Sequence, residues 1–210
     1  MRLFVPGASG RTGRMFTGDA LAAGHRVTAL VRDASHAEFP EGAAPDVVVG
    51  DVIADPVDLR AAVAGHDAVV SLLAPRHERD ARIYSEGTAN LISAMDAAGV
   101  SRLVAVSAEG VRVSRGTLPL GYRAVLLLPG LDSVYEDIGL MEDAVVASDL
   151  VWTLVRPAVL TDGPATGAYR THVGDVVPGG LLVSRADLAT FLLQVVERDL
   201  FRGEKVALAQ

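Results

Sequence analysis

The sequence predicts an α/β fold, a doubly wound parallel sheet, and three observations carry that expectation. Short apolar runs rich in Val, Leu and Ala alternate with longer stretches of helical period along most of the 210 residues. Those runs are apolar throughout rather than at every second position, the pattern of strands covered on both faces and therefore parallel. Glycines close three of the helical stretches, at Gly24, Gly65 and Gly99, where a left-handed residue ends a helix without steric cost.

Taken in order, Leu3–Val5 is the first strand. It runs into the loop Gly7-Ala8-Ser9-Gly10-Arg11-Thr12-Gly13 and then a helix with Met15, Phe16 and Leu21 on one face. Strands follow at Val27–Val31 and Val47–Val49. Asp55-Pro56 reads as an N-cap and first-turn proline, opening a helix through Leu59 and Val63. Ala68–Leu73 is the fourth strand, Ala81–Ala98 a helix with Ile83, Leu91 and Met95 in helical spacing, and Leu103–Val106 the fifth strand. Asp137–Ala147 suits a helix, Val151–Val155 a sixth strand, Ala186–Val196 a late helix and Val206–Leu208 a last strand. With no repeat, low-complexity tract or linker, residues 1–210 read as a single domain. Residues 109–135, in large part rich in Gly, Pro and Leu without a period, read as a small irregular lobe, a lid on the substrate side.

Composition excludes several function classes. The net charge of −7 argues against nucleic acid, whose phosphates need a basic surface. Zero cysteines remove disulfides, thiolate metal sites and cysteine nucleophiles together. The opening residues Met1–Val5 reach Pro6-Gly7 too soon for a secretory signal, and no apolar run approaches the ~18 residues of a membrane span. A cytoplasmic chain without a membrane partner is expected. His25, His36, His66, His77 and His172 show no metal-ligand spacing, so no metal is expected.

The glycine loop carries the chemistry. It follows an apolar strand and opens a helix, the context in which GxxGxxG cradles a dinucleotide pyrophosphate in the Rossmann fold. Gly7 permits the tight turn, Gly10 lets backbone approach the phosphates, and Gly13 lets helix and strand pack closely. Ser9 and Thr12 add hydroxyl donors, and the helix N-terminus adds free N–H groups. The alternative is a phosphate-free turn. No GK[ST] follows, so a mononucleotide P-loop is excluded. About twenty residues on, where the ribose is read, stand Arg32 and Asp33. A guanidinium pairs with a 2′-phosphate and an acid repels it, so NADP (as NADPH) is favoured, with NAD as the alternative. Asp51 reads either as acceptor for an adenine amino group or as a turn carboxylate.

With the glycine loop, the sequence contains Leu30-Val31-Arg32-Asp33, Gly50-Asp51-Val52, Leu72-Leu73-Ala74-Pro75-Arg76, Ser85-Glu86-Gly87 with Asn90, Val106-Ser107-Ala108, Trp152-Thr153-Leu154-Val155-Arg156-Pro157, Thr166-Gly167-Ala168-Tyr169 and Ser184-Arg185-Ala186-Asp187-Leu188. In these it resembles the atypical short-chain dehydrogenase/reductases of the NmrA-like NAD(P)H-binding superfamily, above all the flavin reductase/biliverdin-IXβ reductase branch. The resemblance implies that Ser9, Arg11 and Thr12 hold the pyrophosphate and Arg32 the 2′-phosphate. His36 falls where relatives place a second basic residue. It further implies that Asp51 and Val52 hold adenine, that Leu73, Ala74 and Arg76 line ribose and phosphates, and that Ser107, Pro157 and Val159 border the nicotinamide.

Ser107, at the carboxyl end of the fifth strand, is the candidate catalytic residue. The larger dehydrogenase superfamily pairs its Ser with Tyr-x-x-x-Lys, from which this sequence departs. Tyr135 is followed four residues later by Gly139, and Lys205 is the first lysine in the chain. Proton donation by a locally activated tyrosine is therefore not expected. That leaves room for hydride transfer to a planar conjugated acceptor, of flavin or quinone type, which delocalises the incoming charge. The lid residues Tyr122, Leu126, Leu127 and Leu128 offer an apolar platform, and Arg112, Arg115 and Arg123 an attraction for an anionic acceptor. The lid packing against another subunit is the alternative, and monomer and homodimer stay open. The acids Asp132, Glu136, Asp137, Glu142, Asp143 and Asp149 read as a solvated helix face, with Glu142 as a proton relay the alternative. The function expected is NADPH-dependent hydride transfer to a small-molecule acceptor. A non-catalytic NADP(H) sensor of the NmrA-like kind and a cofactor-retaining isomerase or epimerase are the alternatives.

Overall fold

The computed structural model describes residues 1–40, 42, 44–53, 59–75, 82–113 and 130–210, with the His36 side chain left out. The expected Asp55-Pro56 cap, Arg76, His77 and the lid residues Arg115, Tyr122, Arg123 and Leu126–Leu128 lie outside the described residues.

From the first strand to the sixth, helices and strands follow in the expected order. In chain order they are β1 (Arg2–Pro6), α1 (Arg11–Ala22), β2 (Arg26–Val31), β3 (Asp46–Val49), α2 (Leu59–Val63), β4 (Ala68–Ser71), α3 (Ser85–Ala98), β5 (Arg102–Val106), α4 (Leu131–Ala147), β6 (Val151–Pro157), β7 (Val159–Thr161), β8 (Arg170–Val173), β9 (Leu182–Ser184), α5 (Arg185–Glu197) and β10 (Glu204–Ala209). Eight described strands form one sheet in the order β3-β2-β1-β4-β5-β6-β10-β8, and β7 pairs with β9 in a separate small sheet. Every described pairing is parallel except β10 with β8.

Both faces of the sheet are covered, which is why its central strands are apolar throughout. Leu3 and Val5 join one core with Phe16 of α1 and Leu188, Leu192 and Val195 of α5. Between them Phe4 points to the opposite core, shared with Leu91 and Met95 of α3 and Met141 and Val145 of α4. The register of β1 on β2 and of β1 on β4 puts the reversal of strand order at the carboxyl ends of β1 and β4. A crevice opens at such a reversal.

The fourth strand ends at Ser71 rather than Leu73 and the helix after it starts at Ser85 rather than Ala81, and two other regions depart further from the sequence reading. The fourth helix starts at Leu131 rather than Asp137, following Gly130 at φ 79, with no side-chain cap hydrogen bond to mark its beginning. Three short strands, β7 to β9, fill the region between the sixth strand and the late helix. No helix among the described residues is long and apolar enough to cross a membrane.

Candidate active site

The glycine loop is built by close approach at two of its three glycines. Gly7 has φ 82, and a Cβ there would lie 2.2 Å from the Leu72 carbonyl oxygen; one on Gly13 would lie 2.2 Å from the Gly7 carbonyl oxygen. Gly10 differs. Its backbone is extended (φ −71, ψ 167) and no side chain caps α1 there. Gly10 thus offers the first-turn N–H groups of α1 no capping side chain of its own, at a helix end whose dipole favours an anion. That cradle fits a pyrophosphate.

Two adjoining clefts meet at this loop. The first, about 360 Å³, holds Gly7, Ser9, Gly10, Arg11, Arg32, Asp51, Val52, Leu73 and Ala74 in its lining. The second, about 390 Å³, shares Gly10, Arg11, Leu73 and Ala74 and adds Thr12, Gly13, Ser107, Pro157 and Val159. Among the described residues, every one expected to hold the cofactor lines one cleft or the other. At the tip of β2, Arg32 lines the first cleft. Asp33 instead turns its carboxylate to its own chain, accepting from the Ser35 N–H at 2.8 Å and the Ser35 hydroxyl at 2.6 Å. Asp51 lines the cleft and also accepts from the Ile53 N–H at 2.8 Å, so its turn role is present.

The second cleft contains an aromatic residue that sequence reasoning missed, Tyr84, beside one set aside as a proton donor, Tyr135. Tyr84 and Tyr135 line it, with an apolar wall from Val134, Ile138, Leu160 and Leu188. Burial, then the Asp137 charge, pushes the Tyr84 phenol up to about 12, so it keeps its proton near neutrality. Among the described residues the cations lining this cleft are Arg11 and Arg185, joined across Asp162 at 3.0 and 2.6 Å. Arg112 is not among the lining residues. Its guanidinium lies over Gly139, where a Cβ would be 2.8 Å from Nε, and pairs with Asp143 at 2.5 Å. The expected attraction of Arg112 for an acceptor is corrected: its charge is used on the outside of α4.

The acidic run is corrected as well. Asp137 and Glu142 are buried, not solvated. Asp137 caps the start of α3, accepting from the Tyr84 N–H at 2.9 Å and from the Ser85 N–H and hydroxyl. Glu142 is 0% exposed and lies behind Ser107. Its Oε1 accepts from the Ser107 hydroxyl at 2.5 Å and Arg156 Nε at 2.8 Å. Its Oε2 accepts from Arg156 Nη2 at 2.6 Å and Lys205 Nζ at 3.0 Å. Arg156, 1% exposed, also reaches Asp175 at 2.8 Å. Burial alone would raise the Glu142 carboxyl, but Arg156, Ser107 and Lys205 together hold it below its usual range. One sequence signal was available: Glu142 shares the helical stripe of Ile138, Met141 and Val145.

Glu109, two residues beyond Ser107, is another buried carboxylate. It is 2% exposed and accepts from the Val177 N–H at 2.6 Å. Burial pushes its carboxyl from 4.5 to about 7, against the lowering effect of that hydrogen bond. A folded-state value above the unfolded one means the unfolded chain loses this proton first as pH rises. The stabilising contribution is complete below about 4.5 and is lost as pH climbs to about 7. Glu109→Gln is therefore expected to match wild type in acid and exceed it by roughly 2–3 kcal/mol at about pH 8. Urea unfolding at both pH values checks this; an equal difference at the two would refute it.

Comparison with known proteins agrees with the fold and with a dinucleotide-binding family. A 3-diazoavenalumate denitrifying reductase from Streptomyces sp. is 38% identical over 185 residues, which are 81% of this chain and 59% of that protein. The chain thus spans about three fifths of that relative's length. The structure of ChuY, an anaerobillin reductase from Escherichia coli O157:H7, superposes with a TM-score of 0.81 at 22% identity, covering 100% of this chain and 97% of that one. A short-chain dehydrogenase/reductase from Veillonella parvula in complex with NADP gives 0.82 at 17%, covering 100% and 94%. At these identities the two structures bear on the fold alone. Residues 7–199, from the first glycine of the loop to beyond α5, match one family along their length, and the chain belongs to it: the NAD(P)H-binding family.

Proposed function

We propose that the protein is an NADPH-dependent reductase that passes hydride to a planar conjugated acceptor of flavin or quinone type. The observation that carries this reading is the second cleft. It continues from the glycine loop past Ser107 into a pocket with two tyrosines and an apolar wall, a lining that suits a flat ring system. A bound nicotinamide supplies the hydride. The chain's own part is to hold the acceptor flat against it, exclude water with the Val134, Ile138 and Leu160 wall, and keep donors such as the neutral Tyr84 phenol nearby. Arg11 and Arg185 suit an acceptor with an anionic substituent.

The preference for NADPH is supported by the division of labour at the tip of β2. Arg32 lines the cleft while Asp33 is engaged by Ser35, so the guanidinium meets the ribose substituent first. The reductase names of the Streptomyces relative and of ChuY support the reaction class.

The test follows nicotinamide absorbance while NADPH or NADH is mixed with FMN, riboflavin or simple quinones. Turnover with at least one acceptor is expected. Tight NADPH binding without turnover on any would turn the reading to a cofactor sensor, and turnover without net NADPH loss to an isomerase. In the same assay Arg32→Ala should raise the KM for NADPH about tenfold, the worth of one charge-assisted hydrogen bond, and leave NADH nearly unchanged. Equal effects on both would remove the case for NADPH.

A further inference from the structure

We propose that Glu142 is a positioning residue that turns Ser107 into a hydrogen-bond acceptor, so that the cavity selects ligands presenting an N–H or O–H to it. The inference rests on the reading of the second cleft as the acceptor site.

A serine hydroxyl has one proton and two lone pairs. At Ser107 the proton is committed, because Oγ donates to Glu142 Oε1 at 2.5 Å, the length of a charge-assisted bond to a carboxylate. Glu142 cannot return the favour. Its two oxygens accept four bonds, from Ser107, twice from Arg156 and from Lys205, and the arginine is as deeply buried as the acid. A fully buried carboxylate in fork contact with a guanidinium stays ionised and has no proton to donate. What Ser107 offers the cleft it lines is therefore lone-pair density. A ligand carbonyl or developing oxyanion would meet it lone pair to lone pair. An imide, lactam, amide or phenol donor would be held.

This polarity is opposite to that of a serine that stabilises a reduced carbonyl. Among planar acceptors it favours rings that carry a donor on the edge facing Ser107 over simple quinones, whose polar edges are carbonyls alone.

Lumiflavin and 3-methyllumiflavin differ at one position, an imide N–H replaced by N–CH3, and their binding to the NADP-loaded protein is read by flavin fluorescence. Wild type should bind lumiflavin about tenfold more tightly, one hydrogen bond's worth. Ser107→Ala should erase the preference. Glu142→Gln keeps the shape, but its amide can donate to Ser107 Oγ and free the hydroxyl proton, so the preference should vanish or invert. A preference unchanged in Glu142→Gln would mean the methyl group is excluded by size alone and would overturn the inference. A second readout does not depend on any ligand. The Ser107 hydroxyl proton should resonate far downfield in wild type, be absent in Ser107→Ala and move upfield in Glu142→Gln. Absence of that signal in wild type would also overturn it. Reduction of quinones with no flavin binding would sink this inference and leave the reductase reading standing. Failure of every acceptor to bind or react would sink both.

Discussion

Gly10→Val is expected to leave the fold intact and weaken dinucleotide binding about a thousandfold. The three loop glycines do different work. At Gly7 and Gly13 a Cβ would lie 2.2 Å from a carbonyl oxygen, so substitution there should prevent the β1-loop-α1 corner from closing. At Gly10 the nearest atom to a Cβ, the Gly7 carbonyl oxygen, is 3.2 Å away, and the extended backbone suits any residue. The fold needs small shifts and loses roughly 1 kcal/mol for a poorer N-cap. The ligand loses far more. A valine side chain stands where phosphate must reach the N–H groups of α1, and forfeiting two charge-assisted hydrogen bonds costs about 4 kcal/mol. Calorimetric titration with NADP+, beside a thermal melt of the same sample, separates the two effects. Undiminished affinity in a folded Gly10→Val protein would move the cofactor away from the glycine loop.

Local periodicity made much of this molecule legible before its structure. A strand covered on both faces has to be apolar at every position, as Leu3, Phe4 and Val5 are, and a glycine loop between such a strand and a helix has few other uses. Long-range partners hid the remainder. β8 is exposed at all four residues and is a strand only because β10 pairs with it, so its own sequence carries no pattern. β7 and β9, three residues each, exist through each other. The charged residues behind Ser107 were the larger loss. Glu142 looks like one more acid in an acidic helix until Arg156, fourteen residues on in a buried strand, and Lys205, near the far end of the chain, arrive on its two oxygens. A lone arginine inside the apolar run Val151–Pro157 was the available clue, since a guanidinium is not buried there without a carboxylate to meet it.

Arg156→Leu is expected to be the most damaging single change at the site, costing about 3–5 kcal/mol, the usual penalty for stranding a buried charge. It removes two of the four donors on Glu142 and leaves the carboxylate with Ser107 and a half-buried Lys205. Such a carboxyl relieves itself by taking up a proton, so the loss should be smaller in acid than near neutrality. The partner change tests whether charge or volume is responsible. Glu142→Leu with Arg156→Leu removes both ions, and replacing a whole buried pair by apolar side chains is often close to neutral. The double variant should therefore unfold at higher urea than Arg156→Leu alone, although Asp175 loses its partner, an exposed loss worth little. A double variant no better than the single one would show that the arginine's bulk matters more than its charge. Stability regained without restored lumiflavin preference would separate the two roles of the pair: holding the fold together, and aiming the Ser107 proton away from the ligand.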